Sequence, residues 1–430
     1  MPVRLDSCDP AFARAFETLL GSKREASDEV GAVVANILAD VRARGDEALI
    51  EYTERFDRLR LAPEALRFSA GEIAAAAGRI GAEVRSALET AHARIRAHHE
   101  KQKPQDHVYE DALGVTLGTL WTPVDAVGIY VPGGLAAYPS SVLMNAVPAR
   151  VAGVERIAMT VPTPDGEVND AVLAAAHIAG ITEIYRIGGA QAIGALAYGT
   201  ATIPPVAKIV GPGNAFVAAA KRQVFGVVGI DMIAGPSEVL IIADASANPA
   251  WVAADLLAQA EHGGGAQSIL VTTDPALADA TEREVRRQVA LLPRAQIAGE
   301  GWDELGAVIT VASLDEAVGL ANRIASEHVE LALDDPMALL PRIRNAGAIF
   351  LGHHTPEAIG DYVGGTNHVL PTARSARFAS GLGVLDFMKR TSVLGCDPSS
   401  LAALAPAAET LAATEGLDAH GRSVAIRLNR

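Results

Sequence analysis

From residue 124 onward, short apolar segments alternate with helix-length segments, and this alternation constrains the fold more than any other feature of the chain. The pattern predicts βαβ units and parallel sheets, and therefore an α/β fold. The predicted strands lie at 124–131, 156–161, 183–188, 208–211, 238–244, 268–274, 307–312, 329–333 and 348–352. A loop-rich stretch at 229–238 divides the series, so we expect two sheets rather than one.

The first 105 or so residues are mainly helical instead. Apolar residues form one stripe over 27–45, which predicts an amphipathic helix with Ser27 and Asp28 suited to its N-cap and Gly45 to its C-terminal cap. A last helix is predicted over 72–103.

His98 and His99 are neighbours in this last helix. Adjacent positions point about 100° apart on a helix, so the two histidines cannot chelate one ion together. We expect both of them on the surface.

The sequence of the final 30 residues predicts an Ala-rich helix, a glycine that ends it and a short basic tail. This segment is too small to form a domain alone. We therefore expect it to pack on another surface, and a second subunit could provide that surface.

The composition narrows the function. The net charge is −15, which disfavours binding to nucleic acid because the phosphate backbone repels an acidic surface. Cys8 and Cys396 are the only cysteines, so a disulfide framework is not expected and a cysteine-rich zinc site is excluded. The N-terminus lacks the apolar core of a signal peptide, and no run reaches the roughly 18 apolar residues of a membrane span. We expect a cytoplasmic protein that binds neither membranes nor nucleic acid.

Glycine-rich turns follow several predicted strands, at 130–134, 187–194 and 210–214. Such turns let a phosphate approach the backbone closely. None of them matches GxGxxG, because Phe216 stands where the third glycine would follow Gly211 and Gly213. The turns alone leave nucleotide binding open.

Several histidines after residue 260 have carboxylate or amide neighbours. The groupings are Gln259 with His262, Asp361 with His368, and Glu415 with His420. A divalent ion with nitrogen and oxygen ligands could be assembled from them. Taken singly, each histidine fits a capped helix end or a hydrogen-bonded surface group better than a metal ligand, and no HExxH motif is present.

Glu327 and His328 are adjacent in a strand-like segment. An acid beside an imidazole could divide base chemistry between water and an alcohol. Neighbours in a strand point to opposite faces, so the pair needs a loop or a strand end to serve one site.

Long segments of the chain, in one order, resemble the histidinol dehydrogenases from about residue 30 onward. The segments that carry the resemblance include 127–154, 211–221, 230–244, 256–263, 325–331, 360–372, 376–393 and 415–427. One departure is Ser326, where many members of the family have proline. We expect it to change only the stiffness of the loop.

The resemblance implies roles for individual residues. It implies one zinc ion per subunit, held by Gln259, His262, Asp361 and His420. It implies NAD⁺ contacts at Tyr130, Gln191 and Asn214. It implies that substrate is bound by Ser237, Gln259, His262, His328, Asp361, His368, Glu415 and His420. Glu327 and His328 would transfer protons.

The family chemistry is the oxidation of L-histidinol to L-histidine through L-histidinal, with two NAD⁺, as the last step of histidine biosynthesis. Zinc would orient the substrate. His328 would take the alcohol proton in the first step. Glu327 would activate water in the second, while the aldehyde stays bound.

The family fold is a domain-swapped homodimer with two incomplete Rossmann-like parallel-sheet domains and small helical terminal elements. The implied units are 1–25, packing with the C-terminal region; 26–126 with 239–381; an NAD-binding domain, 127–238; a linker, 382–403; and a swapped tail, 404–430. The tail would bring Glu415 and His420 into the partner's site.

Three other functions compete with this one. The nearest is a related zinc and NAD dehydrogenase of another small polar alcohol, such as a sulfonated diol. The others are a zinc hydrolase that needs no nicotinamide, and a two-lobed solute-binding protein without catalytic activity. His368 and Glu415, suited to an amino-imidazole substrate, favour histidinol.

Overall fold

A computed structural model describes residues 1–21, 28–133, 138–263 and 265–429. Within these ranges the chain forms sixteen α-helices and fourteen strands. The strands are β1 (Val3–Asp6), β2 (His107–Glu110), β3 (Thr116–Pro123), β4 (Ala126–Tyr130), β5 (Arg156–Thr160), β6 (Glu183–Tyr185), β7 (Lys208–Val210), β8 (Gly229–Ile230), β9 (Glu238–Ala243), β10 (Gln267–Thr272), β11 (Ala307–Thr310), β12 (His328–Ala332), β13 (Ala348–Leu351) and β14 (Met388–Gly395).

The helices connect and flank these strands. They are α1 (Phe12–Gly21), α2 (Asp28–Arg44), α3 (Asp46–Asp57), α4 (Ala70–Arg79), α5 (Ala82–Glu100), α6 (Pro139–Ala152), α7 (Asp170–Ile178), α8 (Gly189–Tyr198), α9 (Ala215–Val224), α10 (Pro249–Ala260), α11 (Pro275–Val289), α12 (Ala295–Leu305), α13 (Leu314–Ile324), α14 (Glu357–Tyr362), α15 (Pro398–Thr414) and α16 (Asp418–Ala425). Among the described helices, none combines the length and apolar character needed to cross a bilayer.

Two parallel sheets form the body of the molecule. One has six strands in the order β1-β11-β10-β9-β12-β13, and the other has five in the order β6-β5-β4-β7-β8. The nine predicted strands are all present, four in the five-stranded sheet and five in the six-stranded sheet. The predicted α/β class and the division into two sheets are confirmed.

Both sheets are covered on both faces, which explains their apolar sequences. In the six-stranded sheet, side chains of β9 alternate between two cores: Leu240 and Ile242 lie in one, Val239 and Ile241 in the other. The five-stranded sheet likewise separates two cores. Because the strands are buried on both faces, their positions and their ends are fixed, and the loops at those ends are held in place.

Strands at the margins of the fold were not predicted. β1 extends the six-stranded sheet beside β11, and β8 lies at the edge of the five-stranded sheet. β2, β3 and β14 form a separate antiparallel sheet in the order β14-β3-β2. The side chains of β2 are exposed and those of β3 and β14 are half-buried or exposed, so these strands lack the apolar runs that identify buried strands.

The helical N-terminal part was predicted with two errors. The helix expected over 27–45 is α2, and Gly45 follows it with φ +58°, while its predicted cap Ser27 lies outside the described residues. The helix expected over 72–103 is two helices, α4 and α5, that meet at residues 80–81. His98 is exposed as expected, but His99 is fully buried with Nδ1 2.7 Å from the carbonyl oxygen of Ile95.

Helices α2 to α5 pack against helices of the five-stranded sheet, whereas α1 packs on β1 beside the six-stranded sheet. After β14, the Ala-rich α15 and the short α16 pack mainly against each other. A glycine, Gly416 with φ +70°, separates them as expected. The domain boundaries implied by the resemblance stay predictions.

Candidate active site

A polar cavity of about 280 Å³ lies between the two sheets. It is lined by residues at the start of β9 and β12, by α14, and by the turns that follow β4 and β7. We call it the polar cavity; its lining includes Ser237, His262, Glu327, His328, Asp361 and His368. Most of the residues expected to carry the chemistry are therefore brought together from five segments of the chain.

Glu327 and His328 stand at the beginning of β12, which is the strand-end position that the pair requires. Glu327 Oε2 accepts a hydrogen bond from the backbone N–H of Glu238 at 3.1 Å. His328 Nδ1 lies 3.1 Å from the carbonyl oxygen of the same residue. A carbonyl can only accept, so Nδ1 carries the proton. The first residue of β9 thus fixes both side chains at one cavity.

The other imidazole nitrogen of His328 is available for chemistry. Nε2 is buried and has no hydrogen-bond partner among the described residues, and it lies 3.8 Å from Asp361 Oδ1. Burial lowers the pKa of His328 to about 3. The imidazole is therefore neutral, with a free lone pair directed at the carboxylate and cavity.

Burial acts in the opposite direction on the carboxyl groups. It raises the pKa of Glu327 well above its ordinary value and that of Asp361 to about 6. The raised pKa values mean that the buried cavity disfavours two carboxylates without a positive charge nearby. A cation would remove that penalty.

His368 is held by two elements. Its Nδ1 lies 2.9 Å from the carbonyl oxygen of Asp361, and its Nε2 lies 3.3 Å from Ser141 Oγ on α6. Burial lowers the pKa of His368 to about 4. A carbonyl can only accept, so Nδ1 carries the proton, and Nε2 of the neutral ring accepts a hydrogen bond from the Ser141 hydroxyl or from a polar ligand.

Gln259 and His262 come from the end of α10. His262 lines the polar cavity, and burial lowers its pKa. Gln259 is fully buried, and neither its Oε1 nor its Nε2 has a hydrogen-bond partner among the described residues. A buried amide without partners costs free energy, so it indicates a ligand that the protein alone does not supply.

Glu357 was not predicted. One oxygen or nitrogen each from His328, Glu357 and Asp361 lie within 4.8 Å of one another, a spacing that could hold a metal ion. Glu357 Oε1 is 3.7 Å from His328 Nδ1, and burial raises its pKa well above the ordinary value. The i, i+4 spacing of Glu357 and Asp361 on α14 was the signal that could have revealed it.

A second cavity, of about 670 Å³, lies at the carboxyl ends of strands in the five-stranded sheet. We call it the glycine-rich cavity because Gly133, Gly188 and Gly189 line it. The three positions expected to contact a dinucleotide line it as well: Tyr130, Gln191 and Asn214. Gly188 and Gly189 begin α8, so the amino end of that helix opens into the cavity, a favourable place for phosphate.

The side chains of Tyr130, Gln191 and Asn214 differ in how many of their hydrogen-bonding groups have a partner within the protein. Tyr130 Oη accepts from the N–H of Gly189 at 3.1 Å, and burial raises its pKa to about 12. Asn214 caps α9 through bonds to the N–H groups of Phe216 and Val217. Gln191 Oε1 is buried without a partner among the described residues. Asn214 therefore has a structural role whether or not it also contacts a ligand.

Comparison with known proteins agrees with this geometry. A sequence model described as "Histidinol dehydrogenase" matches residues 21–428. The histidinol dehydrogenase of Rhizobium meliloti (strain 1021) is 63% identical over 429 residues, covering 100% of this chain and 99% of that protein. That of Nitrobacter winogradskyi is 64% identical, with 100% of each chain covered.

The chain belongs to the histidinol dehydrogenase family. A crystal structure of the histidinol dehydrogenase from Elizabethkingia anophelis superposes with a TM-score of 0.95 at 37% identity, covering 100% of this chain and 98% of that one. The family predicted from the sequence is confirmed, and so is the prediction of an NAD-dependent oxidoreductase.

Three residues that the resemblance assigns to the site, Gln259, Glu415 and His420, line neither cavity. Glu415 follows α15 and His420 lies on α16, and both are exposed.

Proposed function

We propose that this chain oxidises L-histidinol to L-histidine through L-histidinal, with two NAD⁺ consumed for each histidine formed. The observation that carries the proposal is the buried pair Glu327 and His328, held on one backbone residue, with His328 Nε2 unpartnered among the described residues and facing a polar cavity. The glycine-rich cavity lies beside it, because the turns at 132–133 and 211–214 border both.

The polar cavity fits a zinc ion. Nitrogen and carboxylate oxygen ligands suit zinc, and the unpartnered amide of Gln259 and the destabilised carboxyl of Asp361 both gain from a cation. We propose that Gln259, His262, Asp361 and a partner's His420 hold one ion per subunit. When bound, zinc would supply positive charge and a fixed point for the substrate nitrogens.

In the first oxidation, His328 acts as the base. Its neutral Nε2 takes the alcohol proton as hydride leaves the carbinol carbon for the nicotinamide. Nδ1 keeps its proton and donates it in a hydrogen bond to the Glu238 carbonyl oxygen, which fixes the tautomer and the ring plane. The product of this step is the bound aldehyde.

In the second oxidation, Glu327 activates water. As water attacks the aldehyde, Glu327 takes a proton from the water and His328 returns the proton of the first step to the aldehyde oxygen, which gives the hydrate. The neutral His328 then takes a proton from a hydrate hydroxyl while the second hydride leaves for a second nicotinamide, and ionisation of the acid yields the carboxylate of L-histidine. Glu327 must be ionised for this step, and positive charge in the cavity would lower its raised pKa. His368 and Ser237 line the cavity where they could orient the ring or amine.

We further propose that the active form is a homodimer in which the tail 404–430 swaps between subunits. Apolar side chains are exposed on the tail of the single chain: Leu404, Leu411, Leu417 and Ile426. Such a surface is typical of a segment that another subunit covers. The partner subunit's Glu415 and His420 would then complete each site. The cytoplasmic location stays a prediction.

The main test is NADH formation from L-histidinol, with NADH counted against histidine and with a chelator in a parallel reaction. We expect a ratio near two and loss of activity on chelation that zinc restores. A ratio of one, or turnover without NAD⁺, would contradict the scheme. Sulfonated diols serve as competing substrates, and faster turnover of a diol would identify the related dehydrogenase instead.

The shared site has its own test. His420→Asn should lower the zinc content of the purified protein, and Glu327→Gln should leave it unchanged. Each variant alone should be inactive in the complete reaction. When the two are unfolded and refolded together, mixed dimers should regain activity because one of their two sites contains neither substitution. No recovery in mixed dimers, or full zinc content in His420→Asn, would exclude the swapped ligand.

A further inference from the structure

The turn at 211–214, between β7 and α9, borders both cavities. Gly211, Pro212 and Gly213 line the polar cavity, and Asn214 lines the glycine-rich cavity. Any change in the course of this turn therefore alters the separation of the two cavities. Hydride transfer depends on that separation, because a displacement of about 1 Å can cost on the order of 100-fold in rate.

A buried ion pair fixes this turn through hydrogen bonds to the backbone of a single residue, Gly211. Asp231 Oδ2 accepts from the backbone N–H of Gly211 at 2.8 Å. Lys221 Nζ donates to the carbonyl oxygen of the same glycine at 2.9 Å. Lys221 and Asp231 also pair directly with each other. Both polar backbone groups of Gly211 are thus fixed by two side chains that are joined together.

The pair is almost completely removed from solvent. The side chains of Lys221 and Asp231 are 2% and 1% exposed. Lys221 belongs to α9, and Asp231 follows β8 and also accepts from the N–H of Met232 at 2.6 Å. The pair therefore connects the end of β7 to a helix and to the edge strand of the sheet.

Stability does not explain such a pair. Removing two charges from water is costly, and apolar replacements of buried ion pairs are often neutral or stabilising. No apolar pair could hold both the N–H and the C=O of Gly211, whose φ of +110° lies in the region that favours glycine. The geometry of the turn is what these two charged groups determine.

We propose that Lys221 and Asp231 are positioning residues that fix the distance between the bound dinucleotide and the substrate. The inference rests on the proposed function of the two cavities. Asp231 also lines the polar cavity, but its side chain is only 1% exposed, so both side chains act through the backbone of Gly211 rather than on the substrate. The expected consequence is a dependence of kcat, and of NAD⁺ affinity, on a pair that stability does not require.

The test is a double variant, Lys221→Met with Asp231→Asn, which removes both charges and leaves none buried alone. We expect a melting temperature near that of the wild type, with kcat lower by about 10- to 100-fold and NAD⁺ binding measured by calorimetry about tenfold weaker. Each single variant leaves one buried charge uncompensated and should be less stable than the double variant.

A matched control is the ion pair of Arg156 and Glu183 in the same sheet, at 2.7 Å and lining neither cavity. Arg156→Met with Glu183→Gln should leave kcat and NAD⁺ affinity unchanged. Wild-type values in the Lys221 and Asp231 double variant would overturn the inference, and so would an equal loss in the control.

Two further measurements keep the outcomes separate. If the first double variant does not fold, Lys221→Gln with Asp231→Asn replaces it, because this variant retains polar groups without net charge. The same losses of kcat and NAD⁺ affinity are then expected, and wild-type values would overturn the inference. An inactive wild type would contradict the proposed function, while calorimetry with NAD⁺ would still test the pair. An active wild type with an unimpaired double variant would contradict the positioning role alone.

Discussion

The two parallel sheets meet the polar cavity with opposite edges and contribute different kinds of groups. The six-stranded sheet presents the amino ends of β9 and β12, where Ser237, Glu327 and His328 lie. The five-stranded sheet presents the carboxyl ends of β4 and β7, where the contribution is mainly backbone in glycine and proline turns. Ligands of open α/β sheets usually bind at carboxyl ends, so the glycine-rich cavity follows the rule and the catalytic groups do not.

The difference shows how a site can combine reactive groups with precise placement. Buried carboxyl and imidazole groups at the amino edge have strongly shifted pKa values, which suits acid and base chemistry. Glycine turns at the carboxyl edge allow close approach of a phosphate-bearing ligand. Substitutions at the amino edge should therefore change the rates of the proton-transfer steps. Substitutions at the carboxyl edge should change the placement of the bound ligand.

The largest effect is expected for His328→Asn at the amino edge. Both hydride transfers should slow by on the order of 1,000-fold, because one base serves both steps. The measurement is NADH formation from L-histidinol and, separately, from L-histidinal. The zinc content should stay at the wild-type level. If either substrate were oxidised at the normal rate, His328 would not be the shared base.

Glu327→Gln should impair the second oxidation and leave the first one intact. The amide oxygen can still accept from the N–H of Glu238, so the fold and the bound zinc should be retained. Oxidation of L-histidinol to the aldehyde should continue, and oxidation of the aldehyde should fall by about 100-fold or more because water is not activated. Single-turnover assays from each substrate measure both steps. Equal loss in both, or in neither, would contradict the assignment.

At the carboxyl edge, Gly211→Ala should distort the backbone. Gly211 has φ +110°, and a Cβ there would overlap the carbonyl oxygen of Tyr130. Gly226 has φ +104° with no atom within 4 Å of a Cβ, so Gly226→Ala is a matched control for backbone strain alone.

We expect Gly226→Ala to cost about 1 kcal/mol of unfolding free energy, and Gly211→Ala about 2–3 kcal/mol with a raised KM for NAD⁺. Denaturant unfolding and steady-state kinetics measure the two quantities. Equal stability of the two variants would mean that the contact with Tyr130 is not tight.

The sequence was sufficient for the buried strands but not for their surroundings. Each predicted strand was recognised as a short apolar run. Such a run is typical of a parallel strand that is buried on both faces. β14 and β3 alternate weakly and face solvent, so only their pairing with each other reveals them. His99 was expected on the surface, but it lies four residues after Ile95 and therefore on the same, buried face of α5.

For the site, sequence reasoning found Glu327 and His328 as a pair but could not decide whether they share a cavity. That depends on Glu238, which is distant in sequence and holds both. Glu357 was missed because carboxylates at i, i+4 are common on exposed helices, and only its burial beneath His328 distinguishes it. The roles of individual residues came from the resemblance and not from spacing.

The smallest effect concerns stability at the amino edge, two residues beyond His328. Glu330 is buried on β12, hydrogen-bonds to Asp255 of α10, and accepts from the N–H of Glu357 at 2.8 Å. Two carboxyl groups in contact must share a proton, and burial raises the pKa of Asp255 to about 6 and that of Glu330 well above its ordinary value.

Because both folded-state pKa values are raised, the pair favours the folded state only while protonated. Its contribution is complete below about pH 4 and is lost as the pH rises through about 6. Glu330→Gln supplies a permanent donor to Asp255 and an acceptor for Glu357. We expect it to raise the unfolding free energy by about 2 kcal/mol at pH 8 and to change nothing at pH 4. Urea unfolding across this range measures the difference, with exposed Glu304→Gln as a control expected to be flat. A gain that is the same at every pH would show that the raised pKa values do not govern stability, and that the amino edge accommodates charge more readily than its burial indicates.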